Sequence, residues 1–518
     1  MSFAWTKGTS KFSAISVNSA FSRRRFVRTA ALGSAAVVVS ARLRAQSAKL
    51  PRKPNLIVFL PDQLRADTVV GGSASDVHAP NIHKLASQST VFERAYVTHP
   101  ICAPSRSSLF SGTWPHANGC TNNEASLSHK YKCLPELLAD SDYRAGYFGK
   151  WHLGDEFSAQ RGFEDWASIE ESFKSAVSNH RIQGVTDYTK FLIAKGHKPD
   201  HGKYFSRTYS RNVPFELSKA KFVEIKACEF LERYRDRPFI AFVAFIEPHP
   251  PYTGPFNDEH PLESISLDAS NNDRFGEDMP LHYRLREELY RNRHRSADRY
   301  REIKQKYFGL ITEIDHCIGT ILSKVDELAL TDQTITVLTS DHGDMMTAHG
   351  LLGKRFMFEQ SAGVPYLVRV PGQKQSFRVA QPISHIDFAP TMLDLLGKTP
   401  DPQFVGKSRA ALVRGETMPP ESVFIEWAPG KEKINKHTKL GSKDQIKQAL
   451  GESTRAIVTP DGWKLCLRDK DKNELYNLRD DPDERHNLYV DASQSDTIKR
   501  LTDEIHLWQQ RVGDTLKV

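Results

Sequence analysis

Short, continuously apolar runs alternate along the chain with longer stretches in which apolar residues recur every three or four positions. The apolar runs are rich in β-branched and aromatic residues and have the length of strands buried on both faces of a sheet. They lie at residues 55–60, 144–148, 239–246, 334–339 and 365–370. The periodic stretches predict helices at residues 82–87, 134–141, 220–234 and 300–328. This alternation predicts an α/β fold with a large, mostly parallel wound sheet flanked by helices.

The pattern changes near residue 400. Residues 401–454 are polar and have little periodicity, and three short apolar runs follow at 456–459, 463–467 and 474–478. Such runs predict a small antiparallel sheet, and the amphipathic stretch 495–512 predicts a terminal helix that covers it. We therefore expect a catalytic domain over residues 49–400 and a C-terminal subdomain over residues 401–518.

The first 48 residues have the composition of a targeting signal. They hold eight Lys or Arg residues and no Asp or Glu, and the triplet Arg23-Arg24-Arg25 precedes an apolar run over 29–40. This run is shorter than the about 20 residues that a membrane span needs. The segment resembles a twin-arginine signal that is cleaved between residues 41 and 48, and an uncleaved anchor is the open alternative. The resemblance implies the twin-arginine export machinery as a partner and a periplasmic or secreted bacterial protein.

The charge of the rest of the chain does not favour a nucleic-acid partner. The formal net charge is +8, but the N-terminal segment carries eight of the 71 basic residues, which leaves 63 against 63 acidic ones. A balanced chain lacks the basic surface that binds phosphate backbones. No other segment is long and apolar enough to predict a membrane span.

The six cysteines do not form the pairs typical of zinc ribbons or thioredoxins. They are Cys102, Cys120, Cys133, Cys228, Cys317 and Cys466, with no C-x-x-C pair among them. Cys120 and Cys133 flank a short loop, and whether they form a disulfide is open from the sequence. Cys102 lies in a stiff, basic stretch, P-I-C-A-P-S-R-S-S, and needs another explanation.

Polar side chains directly follow four of the predicted strands. They are Asp62 and Gln63, Lys150 and His152, Glu247 and His249, and Asp341 and His342. In open parallel sheets, ligands bind beyond the carboxyl ends of the strands, so these side chains are candidates for one site. The oxygen-rich set Asp62, Gln63, Asp341 and His342 favours a hard divalent cation, with calcium first and magnesium second.

Several motifs together resemble the type I sulfatase family, and the resemblance covers most of the chain after the N-terminal segment. They are C-A-P-S-R at 102–106, G-K-W-H-L-G at 149–154, S-D-H-G at 340–343, A-H-G-L-L-G-K at 348–354, and the segments 474–478 and 481–488. The order of the motifs makes chance agreement implausible. The resemblance implies an alkaline-phosphatase-like fold and hydrolysis of sulfate esters.

The resemblance implies an unusual role for Cys102. In sulfatases a maturation enzyme oxidises the motif cysteine to formylglycine, whose aldehyde hydrates to a geminal diol. One hydroxyl, held on the metal and deprotonated with help from Arg106, attacks sulfur and forms a covalent sulfate ester. The second hydroxyl then loses its proton, and collapse to the aldehyde expels sulfate. Cys102 would thus supply both the nucleophile and one of the metal ligands.

The remaining roles also follow from the resemblance. Lys150 and Lys354 match the sulfate-binding lysines, which stabilise the charge on the sulfate oxygens. His249 matches the histidine that protonates the departing alcohol, and His152 matches the base of the release step. Asn123 matches a substrate-binding asparagine near the scissile group.

Gln63 departs from the paired aspartates of many sulfatases, although choline-sulfatase-like and phosphonate monoester hydrolase branches share Asp-Gln. A sulfatase of a sulfated carbohydrate is our main expectation. A phosphonate or phosphate ester hydrolase of the same fold and a non-catalytic binder of sulfated glycans are the alternatives. We expect substrate specificity to lie in residues 172–209, 252–300 and the polar stretch after 401.

Overall fold

A large mixed sheet forms the centre of the protein in the computed structural model, which describes residues 53–71, 76–170, 184–294, 296–432, 434–435 and 437–518. The predicted export signal lies outside the described residues. The strands are β1 (Asn55–Phe59), β2 (Thr90–Phe92), β3 (Ala95–Tyr96), β4 (Arg144–Gly149), β5 (Asp165–Ser168), β6 (Phe239–Ala244), β7 (Thr334–Thr339), β8 (Gly363–Val364), β9 (Tyr366–Arg369), β10 (Phe377–Val379), β11 (Ile383–Ser384), β12 (Val423–Trp427), β13 (Thr454–Val458), β14 (Trp463–Arg468) and β15 (Glu474–Asn477).

The helices lie mainly between the strands of the large sheet. They are α1 (Pro80–Ala86), α2 (Cys102–Ser111), α3 (Pro115–Asn118), α4 (Leu134–Leu138), α5 (Asp187–Ala194), α6 (Arg207–Arg211), α7 (Lys219–Arg233), α8 (Leu281–Arg293), α9 (Ala297–Glu327), α10 (Glu359–Ala362), α11 (Phe388–Leu395), α12 (Ala410–Val413), α13 (Lys443–Leu450) and α14 (Ser495–Val512). Short 3₁₀ turns include Phe215–Leu217, Thr331–Gln333 and His385–Asp387. The helices and strands predicted before residue 400 are confirmed within a few residues.

The eight strands of the large sheet follow the order β10-β2-β9-β7-β1-β6-β4-β5. The run from β7 to β5 is parallel, as predicted. Strand β9 departs from this plan because it pairs antiparallel with both β7 and β2. The sheet is therefore mixed, and its parallel half contains the four strands that polar motifs follow.

Helices cover both faces of the large sheet, because successive residues of a strand point to opposite sides. In β1, Ile57 and Phe59 pack on the side of α1, α7 and α9, while Leu56 and Val58 pack on the side of α2, α4 and α11. Every residue of β1 is buried. This burial on two faces explains why the strand is continuously apolar.

The C-terminal sheet has four antiparallel strands in the order β12-β13-β14-β15. Helix α14 packs Leu501 and Ile505 onto one face, against Ile457 and Leu465, as the sequence predicts. Strand β12, which forms one edge of this sheet, was not predicted from the sequence. Its apolar run is interrupted by Glu426, whose carboxylate accepts a hydrogen bond from the backbone nitrogen of His116 at 2.9 Å.

The other face of this sheet packs against the motif-bearing part of the chain. Ile425 and Cys466 share an apolar cluster with Tyr96 and Ile101, the residue before Cys102. The domain boundary near residue 400 stays a prediction. In the part of the chain that the structure describes, no helix combines the length and apolar character that a membrane span requires.

Candidate active site

The predicted polar residues meet at the carboxyl edge of the parallel half of the large sheet. Strands β7, β1, β6 and β4 are neighbours in that order, so the loops that follow them converge. The backbone nitrogen of Asp62 donates to the carbonyl of Phe245 at 3.1 Å, which joins the loop after β1 to the loop after β6. Sheet order thus brings together residues that are up to about 280 positions apart.

Four potential metal ligands converge within this edge. One ligand atom from each of Asp62, Cys102, Asp341 and His342 lies within 4.8 Å of the others, and all four residues are buried. His342 Nδ1 lies 2.8 Å from the carbonyl of Gly343, so Nε2 faces the cluster, 3.1 Å from Cys102 Sγ. Two carboxylates and one imidazole nitrogen are suitable ligands for a divalent cation.

The electrostatics of the two carboxylates also fit a cation. Burial and the nearby charge of Asp62 raise the pKa of Asp341. Burial likewise acts to raise the pKa of Asp62, but the charges of Lys150, Lys354 and Arg106 outweigh it and hold that pKa well below its usual range. A divalent cation would relieve the repulsion between the two carboxylates.

Cys102 occupies the first turn of α2, at the centre of this cluster. Its side chain is almost fully buried, and its Sγ lies 3.1 Å from Lys354 Nζ and 4.0 Å from Asp62 Oδ1. The charges of Lys150, Lys354 and His342 outweigh burial and the charge of Asp62, and they hold the thiol pKa well below its ordinary value. Any anionic group attached to residue 102 would be stabilised in the same way.

Arg106 lies one helical turn after Cys102 and connects three parts of the site. Its Nε donates to Asp341 Oδ2 at 2.8 Å, and its Nη1 donates to the carbonyl of Lys150 at 2.7 Å. Its Nη2 is 3.6 Å from Asp62 Oδ2. The guanidinium therefore holds both carboxylates and the loop after β4 in place.

The two predicted sulfate-binding lysines approach Cys102 from different loops. Lys150 is fully buried and forms an ion pair with Asp62, and Lys354 Nζ lies 3.9 Å from Asp62 Oδ1. Burial acts to lower the pKa of Lys150, but the charge of Asp62 outweighs it and the pKa is raised. Lys150 therefore keeps its positive charge at neutral pH.

Gln63 connects Lys354 to a residue that the sequence analysis did not identify. Its Oε1 accepts from Lys354 Nζ at 2.8 Å, while its Nε2 donates to the Asp344 carboxylate and, at 3.3 Å, to the Tyr252 hydroxyl. Asp344 Oδ1 also accepts from the backbone nitrogen of Gly353 at 2.7 Å. These contacts orient Lys354, and the role of Gln63 as a metal ligand stays a prediction.

His152 is buried beside the site, in the loop after β4. Burial and the charge of Lys150 lower its pKa to about 4, so the imidazole is neutral at neutral pH. Its backbone nitrogen donates to Glu156 Oε1 at 2.6 Å. Burial raises the pKa of Glu156 to about 7, and this residue, too, was missed by the sequence analysis.

His249 lies on the β6 side of the site. Its Nδ1 is 2.7 Å from the carbonyl of Pro250, so the Nδ1–H donates there and Nε2 carries the lone pair. Burial and the charge of Lys354 hold its pKa well below the ordinary value. Its backbone carbonyl accepts from Arg211 at 2.9 Å.

Asn123 supports the start of α2. Its Oδ1 accepts a hydrogen bond from the backbone nitrogen of Ala103 at 3.0 Å, one residue after Cys102. The structure therefore places all eleven predicted site residues around one centre. The missed residues, Asp344 and Glu156, stand three residues after Asp341 and four after His152, and that proximity was the available signal.

All six cysteines have free thiols, including Cys120 and Cys133, whose pairing the sequence left open. Burial raises the pKa of each of these two thiols to about 12. Cys102 is the one whose pKa is held low. The contrast marks Cys102 as chemically distinct.

Comparison with known proteins assigns the chain to a family. The family model described as "Sulfatase" matches residues 54–398, which is well over half of the chain. The protein belongs to the sulfatase family. It is therefore a sulfuric ester hydrolase with the alkaline-phosphatase-like fold. A second model, "N-sulphoglucosamine sulphohydrolase, C-terminal", matches residues 347–511 of this sulfatase.

Two relatives are similar to this sulfatase in sequence. An ulvan-active sulfatase of Formosa agariphila is 30% identical over 368 residues, which cover 68% of this chain and 63% of the relative, less than two thirds of its length. An N-acetylglucosamine-6-O-sulfatase of Bacteroides thetaiotaomicron is 24% identical, and the match covers 89% of this chain and 87% of the relative.

Among solved structures, a phosphonate monoester hydrolase of Silicibacter pomeroyi has the same fold. The TM-score is 0.74 at 20% identity, and the match covers 89% of this sulfatase and 96% of that chain. At this identity the likeness is evidence for the fold alone.

Proposed function

We propose that this sulfatase hydrolyses a sulfate ester of a carbohydrate, using a formylglycine formed from Cys102 and a divalent cation, calcium before magnesium. The convergence of Cys102, Asp62, Asp341 and His342 within 4.8 Å, beneath two lysines, is the observation that supports it. The thiol of Cys102 is the unconverted precursor, and its Sγ stands where the formylglycine oxygens would be. Asp62, Asp341, His342 and residue 102 would hold the cation, with Gln63 as a further predicted ligand.

Hydrated formylglycine would offer a nucleophilic hydroxyl, and the cation would lower the pKa of that hydroxyl and withdraw charge from sulfate. The chain itself positions the substrate. Lys150 and Lys354 flank residue 102 and attract the sulfate oxygens, where negative charge increases during the reaction. Arg106 fixes the two carboxylates, so the site is organised before substrate binds.

His249 is suited to move a proton at its Nε2. In the free protein the imidazole is neutral, because burial and Lys354 lower its pKa. A bound sulfate ester brings negative charge beside it and raises that pKa, which favours protonation at Nε2 and transfer to the departing alcohol oxygen. Neutral His152, with a pKa of about 4, can accept a proton in the release step.

The carbohydrate substrate is supported by the names of the relatives, one active on ulvan and one on an N-acetylglucosamine 6-O-sulfate. The match of the C-terminal part to an N-sulphoglucosamine sulphohydrolase model supports the same class. We further propose that the protein is a periplasmic or secreted bacterial protein, exported by the twin-arginine machinery and matured by a formylglycine-generating enzyme. A catalytic domain over 49–400 and a C-terminal subdomain over 401–518 complete the proposal.

Peptide mass spectrometry and a substrate panel test this function. Conversion of Cys102 to formylglycine lowers the peptide mass by about 18 Da. The purified, converted protein is then assayed on sulfated mono- and disaccharides, an aryl sulfate, choline sulfate and a phosphonate monoester. We expect the converted mass and fastest turnover on a sulfated sugar.

Other outcomes are equally informative. Faster turnover of the phosphonate ester would establish the phosphonate hydrolase alternative. Binding of sulfated sugars without any turnover, by protein with an unmodified thiol, would identify a non-catalytic glycan binder. Full activity with the unmodified thiol would overturn the formylglycine mechanism.

A further inference from the structure

A cavity of about 250 Å³ lies between Ile101, the residue before Cys102, and the C-terminal segment that includes Trp427. The residues that matter here are Ile101, Asn122, Asn123, Arg355, Trp427 and Lys431. Pockets for drug-sized ligands begin at about 300 Å³, so this cavity has room for one sugar ring rather than an oligosaccharide. Among the residues that line this cavity, Asn123 alone has a role in the proposed mechanism, as a predicted substrate-binding residue.

The backbone contacts of the cavity walls connect them directly to the reacting centre. Ile101 precedes Cys102, and Asn123 holds the nitrogen of Ala103 at 3.0 Å. On the opposite side, the backbone nitrogen of Arg355 donates to the carbonyl of Pro100 at 3.1 Å. The walls of the cavity are thus attached to the segments that carry Cys102 and Lys354.

Arg355 has an unusual backbone conformation. Its φ is +87°, in a region that residues with a side chain rarely adopt, and such conformations persist mainly where function needs them. Arg355 directly follows Lys354, whose Nζ lies 3.1 Å from Cys102 Sγ. The side chain of Lys354 thus lies at the nucleophile, while that of the next residue, Arg355, lines the cavity.

The charges near the cavity leave an excess of positive charge. Glu432 is shared between two arginines, because it forms ion pairs with both Arg355 and Arg286. Lys431 pairs with Glu124 at 2.8 Å, but the side chains are 85% and 59% exposed, and such a pair is weak and easily exchanged. Among the residues that line the cavity, two cations, Arg355 and Lys431, face one carboxylate, Glu124, which favours an anionic ligand.

Trp427 gives the cavity a rigid apolar wall. Its ring packs on His99 with centroids 5.1 Å apart, and the backbone nitrogen of Ala428 donates to His99 Nε2 at 3.1 Å. Asn122 and Asn123 also line the cavity and provide amide groups. An apolar wall facing amides and cations suits a sugar ring that carries hydroxyls and an acidic substituent.

We propose that this cavity binds the sugar that carries the scissile sulfate, and that Arg355 and Lys431 bind a second anionic group on that sugar or its neighbour. The second group is a sulfate or a carboxylate, both of which guanidinium binds through paired hydrogen bonds. This inference rests on the proposed function and narrows its substrate class to sugars with two negative groups. The C-terminal part of the chain, through residues 427–431, then selects the substrate.

The test measures binding to the Cys102→Ala variant by calorimetry, so that it does not depend on turnover. The probes are N-acetylglucosamine 6-sulfate, glucosamine 2-N,6-O-disulfate, and 6-sulfated N-acetylglucosamine joined to glucuronic acid. We expect at least one probe with two anionic groups to bind about tenfold more tightly than the monosulfate. Tighter binding of the disulfate would identify the second group as a sulfate. Tighter binding of the probe with glucuronic acid would identify it as a carboxylate.

Additional substitutions in the same background locate the effect. Arg355→Gln and Lys431→Ala should each reduce the preference to less than about threefold, while Arg355→Lys should keep part of it. Lys499→Ala is the matched control, because Lys499 is also exposed and pairs with a carboxylate at 2.8 Å. It should leave the preference unchanged, and thermal unfolding of each variant checks its folding.

Equal affinities for all three probes, or a preference that survives both Arg355→Gln and Lys431→Ala, would overturn the subsite. Hydrolysis of an aryl sulfate by the converted wild-type protein is measured in parallel. Absence of this hydrolysis would count against the proposed function. Hydrolysis of the aryl sulfate together with equal binding of the three probes would count against the subsite alone.

Discussion

Two of the buried clusters of charge differ in which sign is in excess. Around Cys102, three cations, Arg106, Lys150 and Lys354, face Asp62 and Asp341. In the C-terminal sheet the carboxylates outnumber the cations. Lys464 contacts Glu484 and Glu359, and Arg468 contacts Glu474 and Glu452.

The two clusters treat their excess charge differently. In the C-terminal sheet, burial raises the pKa of Glu484 to about 8, so this residue carries a proton at neutral pH and the excess of negative charge is smaller. At Cys102 the excess of cations, increased by a bound metal, stabilises an anion, either on residue 102 or on a ligand that enters the site. The cation-rich cluster therefore suits the proposed catalytic site, while the carboxyl-rich cluster, one member of which binds a proton, suits a structural role.

The largest expected effect concerns the nucleophile at the centre of the cation-rich cluster. Cys102→Ala should lower kcat/KM for a sulfate ester at least about 1,000-fold, because no other side chain replaces the formylglycine hydroxyls. The melting temperature should stay within about 2 °C, since the change removes one buried atom and no ion pair. Stopped assays of sulfate release and thermal unfolding measure the two quantities. Retention of more than a few per cent of activity would point to another nucleophile.

Removal of the metal should have the next largest effect. Chelation of the wild-type protein should reduce activity at least about 100-fold, because Asp62, Asp341 and His342 would lose the charge that they hold beside sulfate. Titration with calcium and with magnesium then measures recovery, and we expect calcium to restore more. Full activity in metal-free protein, verified by elemental analysis, would contradict a metal-dependent site.

Lys354→Ala tests the excess of cations itself. We expect a loss of about 100-fold in kcat, because one of the two lysines that stabilise the reacting sulfate is removed. Lys499→Ala is the control, since it removes an exposed lysine that is paired with a carboxylate. A change in KM alone would mean that Lys354 binds substrate but does not act on the transition state.

The smallest expected effect concerns the pH dependence of stability, which the C-terminal cluster influences through Glu484. Since the pKa of Glu484 is raised, from an ordinary value of 4.5 to about 8, the folded protein binds this proton more tightly than the unfolded chain. The resulting stabilisation is fully present below about pH 4.5 and is lost as the pH rises through about 8. Glu484→Gln should therefore reduce the fall in melting temperature between about pH 6 and pH 9.

The control for this prediction is Glu229→Gln, which removes an exposed carboxylate that pairs with Lys226. It should leave the pH dependence as in the wild type. An unchanged slope for Glu484→Gln would show that Glu484 is ionised in the folded protein, and the contrast between the two clusters would then need revision.

The central strands and the loops that carry the chemistry follow from local patterns in the chain. Strand β7 has the predicted limits, and β1 and β4 differ from theirs by one residue, because a strand buried on two faces must be apolar throughout. The motif of Cys102 and Arg106 is equally local, since one helical turn separates the two residues. Such features depend on neighbours in the chain and can be identified from it.

The way in which distant segments meet, by contrast, is visible only in the folded protein. The antiparallel direction of β9, the edge strand β12, the contact of Gln63 with both Lys354 and Asp344, and the cavity between Asn123 and Lys431 all join segments more than 25 residues apart. The spacing of apolar residues specifies which face of a helix or strand is buried, but not which other segment packs against that face. That choice depends on the packing of the whole chain, and here it placed an arginine from one segment and a lysine from another beside the same nucleophile.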